Sequence, residues 1–291
     1  MKDLVIKRVH TGVKGMDELI QGGIPEGSPI LISGSPGTGK TIFGLQFLHY
    51  GAINNASGIY ITFEEPKSSI IVSAENFGWD LSGLEEKNKF RVMEYFELGN
   101  EEYLREINKL RKSMREAEKK RAGLKAKSDL IEELEIKMAD YQDRIRQIEG
   151  IISERRYTLT QREREQEFME KLNELVSEIN AKRLVIDSLS AYTIYDESRE
   201  SLHRFIRKIR DVGTTSLLIS ELPKDSKWLS RDKISEFACD GVIILSLKRT
   251  KDMAYGTIRL EKMRSTRIDR RERFIWFTKE GLEVSDEPQE Y

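Results

Sequence analysis

At 291 residues the chain can bury a substantial core and exceeds one average domain, so one main domain with an insertion fits better than two equal halves. Charged residues make up 34% of it, above the roughly 25% of an ordinary domain, yet the formal net charge is −1, which excludes a global nucleic-acid or membrane-surface signal. Cys239 is the only cysteine, excluding an internal disulfide framework and a clustered thiolate metal site, and pointing to a reducing, cytoplasmic setting.

No stretch approaches the roughly 20 apolar residues of a spanning helix, and "MKDLVIKRVH" lacks a signal-peptide core. From residue 29 the chain alternates elements. "PILIS" is a short apolar strand, "TIFGLQFLHYGA" has helical spacing at Ile42, Leu45 and Leu48, and "GIYIT" is a second strand. Between the first strand and the helix lies "GSPGTGKT", Gly34, Ser35, Pro36, Gly37, Thr38, Gly39, Lys40 and Thr41, which fits G-x-x-x-x-G-K-[S/T]. Loop glycines let successive backbone N–H groups turn inward around phosphate oxygens at the positive end of the following helix. Lys40 is placed to reach β- and γ-phosphates, and Thr41 to put a hydroxyl on Mg²⁺, so a nucleoside triphosphate with Mg²⁺ is the expected ligand.

"YITFEEP" ends the second strand on Glu64 and Glu65 before Pro66, which suits the first turn of a helix through Ile70 and Ala74 to Phe77. The pair is placed to orient and deprotonate a water; alternatively it is a pair of solvated charges at a helix start, favoured by the dipole. Adjacent residues on an extended strand point to opposite faces, so one of the two, Glu64 by preference, is expected to face the water. "FRVMEYF" is a further strand.

Between about 100 and 160 the rhythm changes. Tyr103, Leu110, Ala117, Leu124, Ile131, Met138, Ile145 and Ile152 recur every seven residues, with Leu134, Tyr141 and Ile148 at partner positions, as in a coiled coil. Residues 101–127 hold ten Lys/Arg against five Asp/Glu, net +5, while 129–150 hold three against seven, net −4. An antiparallel hairpin of one basic and one acidic helix satisfies both observations, with "AGLKAKSD" at its apex and a capping signal in Asp129 and Glu132. One continuous helix pairing with another subunit is the rival; the need to return to the sheet favours the hairpin. Thr160 with Glu163 starts a helix through Leu172, Leu175 and Ile179.

The α/β pattern then resumes with "RLVID", a helix carrying Leu202, Phe205, Ile206 and Ile209, and the strands "TSLLIS" and "GVIILSL". Asp187 ends an apolar run, as a carboxylate holding the metal's water shell requires, or as a strand-end cap. "YGTIRLEKMR", "RFIWFT" and "EGLEV" read as antiparallel strands at one edge of an otherwise parallel sheet covered on both faces. His10, His49 and His203 show no ligand spacing, and Cys239 reads as a small core residue.

Together "TGVKGMDELIQGGIPEGSPILISGSPGTGKTIFGLQFL", "GIYITFEEP", "RLVIDSLS", "FACDGVIIL" and "LEKMRSTRID" resemble the KaiC-like branch of the RecA-type P-loop ATPases. The resemblance covers nearly the whole chain except about 100–160, where that family has a short connection. It implies a RecA-like α/β core formed by 1–99 and 160–291, and the heptad segment 100–159 is then read as an inserted coiled-coil hairpin that docks an unknown protein partner. It implies homo-oligomeric rings, usually hexamers, with ATP at the subunit interfaces, and a regulatory or signalling role. Glu64 and Glu65 map onto the family's catalytic carboxylates, and Lys262 and Arg264 of "KMR" onto a pair reaching a neighbour's γ-phosphate, where an exposed strand end is the plainer reading. KaiC itself carries two such domains and phosphorylates itself on adjacent hydroxyls; this chain has one domain and no counterpart to that site, so clock function and autokinase activity do not carry over. The loop 221–236, with Lys224, Lys227, Trp228 and Arg231, matches the family's pore-lining region and reads as a solvated loop before a single-strand-binding one. A nucleotide-dependent scaffold with negligible turnover and a recombinase-like DNA-binding ATPase are the alternatives; near-zero net charge disfavours nucleic acid.

Overall fold

A computed structural model of the chain describes residues 6–95, 100–124, 129–192, 198–224, 226–249 and 254–288. Its strands are β1 (Arg8–Val9), β2 (Ile24–Pro25), β3 (Pro29–Gly34), β4 (Gly58–Thr62), β5 (Phe90–Glu94), β6 (Arg183–Asp187), β7 (Thr215–Glu221), β8 (Gly241–Arg249), β9 (Ala254–Met263), β10 (Arg273–Thr278) and β11 (Gly281–Ser285). The helices are α1 (Met16–Leu19), α2 (Lys40–Ile53), α3 (Lys67–Glu75), α4 (Leu81–Glu86), α5 (Glu101–Ala122), α6 (Asp129–Thr158), α7 (Gln161–Ile179), α8 (Leu189–Tyr192), α9 (Arg199–Asp211) and α10 (Ser235–Ala238). Every strand read from an apolar run forms. The β1–β2 pair and helices α1, α4, α8 and α10 are two to six residues long, too short for periodicity to reveal.

Among the described residues nine strands make one sheet in the order β11-β10-β9-β8-β3-β7-β6-β4-β5. The six from β8 to β5 run parallel, and β9, β10 and β11 complete it antiparallel. Parallel neighbours need crossover helices, which is why the central strands are apolar on both faces. Ile30, Ile32, Val185, Leu217, Ile219 and Ile243 point to one face and form a core with Phe43, Leu45, Phe47 and Leu48 of α2. Their strand neighbours Leu31, Leu184, Ile186 and Leu218 are equally buried and, by alternation, face the other way. There α9 packs on β3 and β7, burying Leu202, Phe205, Ile206 and Ile209 while Arg199, His203 and Arg207 stay exposed. Ser198 caps α9 by accepting the Ser201 N–H.

Two compact units divide the chain, Met1–Tyr95 with Met169–Tyr291, and Phe96–Phe168. In the second, Ile107 of α5 is buried with Ile145 and Ile148 of α6, flanked by Tyr103, Leu110 and Ile152. Arg121 pairs with Glu135 at 2.7 Å, Arg111 with Glu149 at 3.2 Å and Arg144 with Glu106 at 3.0 Å. Early residues of one helix thus meet late residues of the other, and the basic helix faces the acidic one. The apex expected at "AGLKAKSD" falls largely on 125–128, outside the described residues. At the start of α7 the Thr160 N–H donates to Glu163 Oε2 at 2.8 Å and the Glu163 N–H to Thr160 Oγ1 at 3.3 Å, the reciprocal cap read from the sequence. Among the described residues no helix is long and apolar enough to cross a membrane.

Candidate nucleotide site

β3 runs into Gly34, and α2 begins at Lys40. The intervening loop depends on glycine at two kinds of position. Gly37 (φ 81°) and Gly39 (φ 92°) adopt left-handed conformations, and at Gly34 a Cβ would lie 2.3 Å from the Leu245 carbonyl oxygen on β8. The Thr38 hydroxyl donates to the Ser35 carbonyl at 2.8 Å, and Lys40 Nζ donates to the same carbonyl at 3.0 Å. The ammonium is therefore folded back onto the loop that leads into α2, and the first N–H groups of a helix have no partner within it. Pro36 and Gly37 are exposed, while Lys40 is buried.

The strand ends bring carboxylates to this loop. Asp187, last residue of β6, accepts the Thr41 hydroxyl on Oδ2 at 2.8 Å, and the same oxygen accepts the Tyr60 hydroxyl at 2.5 Å. The Asp187–Ser188 peptide is cis. Ser188 Oγ donates to Glu64 Oε1 at 3.1 Å. Thr62 closes a bend: its hydroxyl donates to the Glu65 carbonyl at 2.7 Å and accepts the Glu65 N–H at 3.0 Å. β4 therefore stops at Thr62, and strand alternation does not decide which of Glu64 and Glu65 faces a water, because both lie beyond the strand. Glu221, at the end of β7, lies 3.9 Å from Lys40 Nζ.

Electrostatics follow from this crowding. Burial lowers the pKa of Lys40, opposed by Glu221, Asp187 and Glu64. Burial likewise raises that of Asp187 despite hydrogen bonds from Tyr60 and Thr41, and Glu64 adds to the rise. Glu65 is raised by burial, then by Asp187 and Glu64. One ammonium among four carboxylates leaves an excess of negative charge that suits a cation. The Thr41 hydroxyl and the Asp187 carboxylate are hard oxygen donors of the type Mg²⁺ takes. Among the described residues no three or more His, Cys, Asp or Glu converge as a metal cage.

Lys262 and Arg264 sit elsewhere, at the end of β9. Lys262 Nζ donates to the carbonyls of Cys239 at 2.6 Å, Glu236 at 3.0 Å and Phe237 at 3.4 Å, where α10 ends. Arg264 donates to Asp240 Oδ1 at 2.8 Å, an oxygen that Arg210 shares at 2.8 Å. Burial, and then Arg264, lower the pKa of Lys262. Cys239 is fully buried and its thiol pushed far up by burial, in keeping with a core residue. Lys224, Lys227, Trp228 and Arg231 line a cavity of about 990 Å³ that also reaches Ser35 and Pro36. Asp225 of that loop lies outside the described residues.

Four contributors escaped the sequence reading. Tyr60 and Ser188 hold the carboxylates; Glu221 reaches Lys40, whereas Ser220 beside it is buried and accepts the Arg231 N–H at 3.4 Å. Phe277 of β10, half-exposed, lays its ring against Gly39. Only Glu221 carried a signal, since "TSLLISE" ends an apolar strand on an acid as "RLVID" does.

A family model described as "ATPase: KaiC" matches residues 9–158 and 125–289. A UPF0273 protein of Thermotoga maritima is 30% identical over 282 residues, covering 96% of each chain. The circadian clock oscillator protein KaiC of Prochlorococcus marinus is 28% identical over 268 residues, covering 90% of this chain and 42% of that protein. Among solved structures, a KaiC-like protein from the hyperthermophilic archaeon Pyrococcus horikoshii OT3 superposes with a TM-score of 0.66 at 26% identity, over 96% of this chain and 99% of that one.

Proposed function

The chain belongs to the KaiC family of ATPases, and from that premise we propose that it binds Mg-ATP at the P-loop and hydrolyses it, as one subunit of a ring. The observation that carries this is the convergence of Lys40, Thr41, Asp187, Glu64 and Glu65 from three different elements on one loop. The N–H groups of Gly37 to Thr41 and the Lys40 ammonium hold the phosphates. Thr41 and Asp187 would hold Mg²⁺, which when bound would supply positive charge against the phosphate oxygens.

Glu64 takes the proton of the attacking water, with the Ser188 hydroxyl fixing its carboxylate; Glu65 stands beside it on the Thr62 bend and orients the water or meets the neighbouring subunit. Lys262 and Arg264 act on the next subunit's γ-phosphate, stabilising charge only when the ring is assembled. Asp240 and the α10 carbonyls hold both cations in register at the end of β9. The α5–α6 pair, as a coiled-coil arm spanning 100–159, docks a protein partner and gives the ring a regulatory role; its opposed charges keep its two helices together.

The decisive variant is Glu64→Gln combined with Glu65→Gln, which keeps every contact of similar shape but removes the base. It is expected to bind ATP as the wild type does and to release no phosphate above background; wild-type phosphate release would show that neither carboxylate is the base. The heptad pair also supports a second reading, a nucleotide-dependent scaffold. That reading predicts ATP-dependent assembly in the wild type without appreciable turnover.

A further inference from the structure

Tyr60 stands two residues before the end of β4, on a strand that is parallel to β6 with Thr62 opposite Asp187 and Tyr60 opposite Val185. Residues two apart share a face, so Tyr60 and Asp187 are diagonal neighbours, and a long aromatic side chain spans that diagonal. Its ring is fully buried, which fixes where the hydroxyl sits. That hydroxyl lies 2.5 Å from Asp187 Oδ2, the oxygen that also takes the Thr41 proton at 2.8 Å. Both side-chain donors thus converge on one oxygen. Among the described residues Oδ1 receives no side-chain hydrogen bond, and Thr41, having given its single proton, keeps its lone pairs for a cation.

We propose that Tyr60 is a positioning residue for the metal side of the site: its hydroxyl locks the Asp187 carboxylate so that Asp187 and Thr41 together present oxygen lone pairs to Mg²⁺. This rests on the reading of the P-loop as a Mg-nucleotide site. Partners that orient a metal's own ligands typically change metal affinity by 10- to 100-fold when removed, without touching groups that bind phosphate alone. Among the described residues the Tyr60 hydroxyl lies against the side chains of Asp187 and Thr41, and no hydrogen bond joins it to Lys40 or to the P-loop N–H groups, so nucleotide binding without metal is expected to be independent of it.

The test compares the full-length wild type with Tyr60→Phe, which deletes one oxygen and keeps the buried ring. Binding of a fluorescent ATP analogue is measured in EDTA and across a Mg²⁺ titration. The metal-free dissociation constant is expected to stay within about 2-fold, while the Mg²⁺ midpoint rises by about 10- to 100-fold. Turnover is expected to fall at limiting Mg²⁺ and to recover at saturating Mg²⁺, whereas a merely structural role would depress it equally at every concentration. An unchanged Mg²⁺ midpoint in a variant that still binds nucleotide overturns the proposal. Parallel weakening of metal-free and metal-dependent binding also overturns it, since that is the signature of a disturbed core. A wild type that binds no nucleotide overturns the underlying reading, and this inference with it.

Discussion

Replacing Lys40 by methionine separates what that residue does for nucleotide from what it costs the fold. The side chain is buried, and its ammonium rests on the Ser35 carbonyl at 3.0 Å with Glu221 at 3.9 Å. Hydrogen bonds to charged groups contribute about 1.5–3 kcal/mol each. Two such bonds, to the β- and γ-phosphates, amount to about 3–6 kcal/mol, so ATP affinity falls by roughly 10²- to 10⁴-fold. Stability moves the other way. Burial outweighs the nearby carboxylates in lowering the Lys40 pKa, so the charged form is less favourable in the folded chain than in the unfolded one. That penalty is fully present below the depressed folded value and is relieved as pH rises through it. Methionine keeps the stem without the charge, and the nucleotide-free variant is expected to be at least as stable at neutral pH. Thermal unfolding with and without Mg-ATP reads both effects. ATP at about 100 times the wild-type dissociation constant stabilises the wild type by about 2.7 kcal/mol, and the variant gains at most about 0.4 kcal/mol at the same concentration. A variant that keeps ATP affinity within about 3-fold, or that melts well below the wild type without nucleotide, would refute this account of Lys40.

Two further outcomes follow from named contacts. Arg264→Ala alone is expected to lose activity, and mixing it with Lys40→Ala subunits to restore some, because each ring then contains interfaces with an intact P-loop facing an intact Arg264; mixed rings that form without any recovery would rule out action in trans. Gly34→Ala forces a Cβ to 2.3 Å from the Leu245 carbonyl oxygen and is expected to cost roughly 1–3 kcal/mol in denaturant unfolding, whereas Gly150→Ala, inside α6 with open space around it, gains about 1 kcal/mol; equal effects from the two would mean the β3–β8 approach is not tight.

The parallel sheet was legible because burial on both faces leaves its strands with unbroken apolar runs, Leu184 to Ile186 in "RLVID" and Leu217 to Ile219 in "TSLLIS". The loop Gly34–Thr41 was legible because phosphate binding demands glycine and lysine at fixed spacing. Tyr60 was not: a tyrosine in an apolar strand looks like core, and only the register that sets it diagonal to Asp187 gives its hydroxyl a task. The Glu64 and Glu65 pair was visible, but its geometry was not, since the Thr62 bend that ends β4 comes from a side-chain hydroxyl bonding to backbone three residues on. For Lys262 and Arg264 the spacing "KMR" located the cations, yet their hold on Asp240 and the α10 carbonyls joins elements more than twenty residues apart.

Phosphate release measured on the same sample as native mass, with and without Mg-ATP, tests the central claim most directly. A ring-forming ATPase assembles to a multiple of the 33.8 kDa chain and turns over ATP only in its assembled form. A protein that stays a single chain and hydrolyses ATP at full rate, or that binds no ATP in either state, would contradict it.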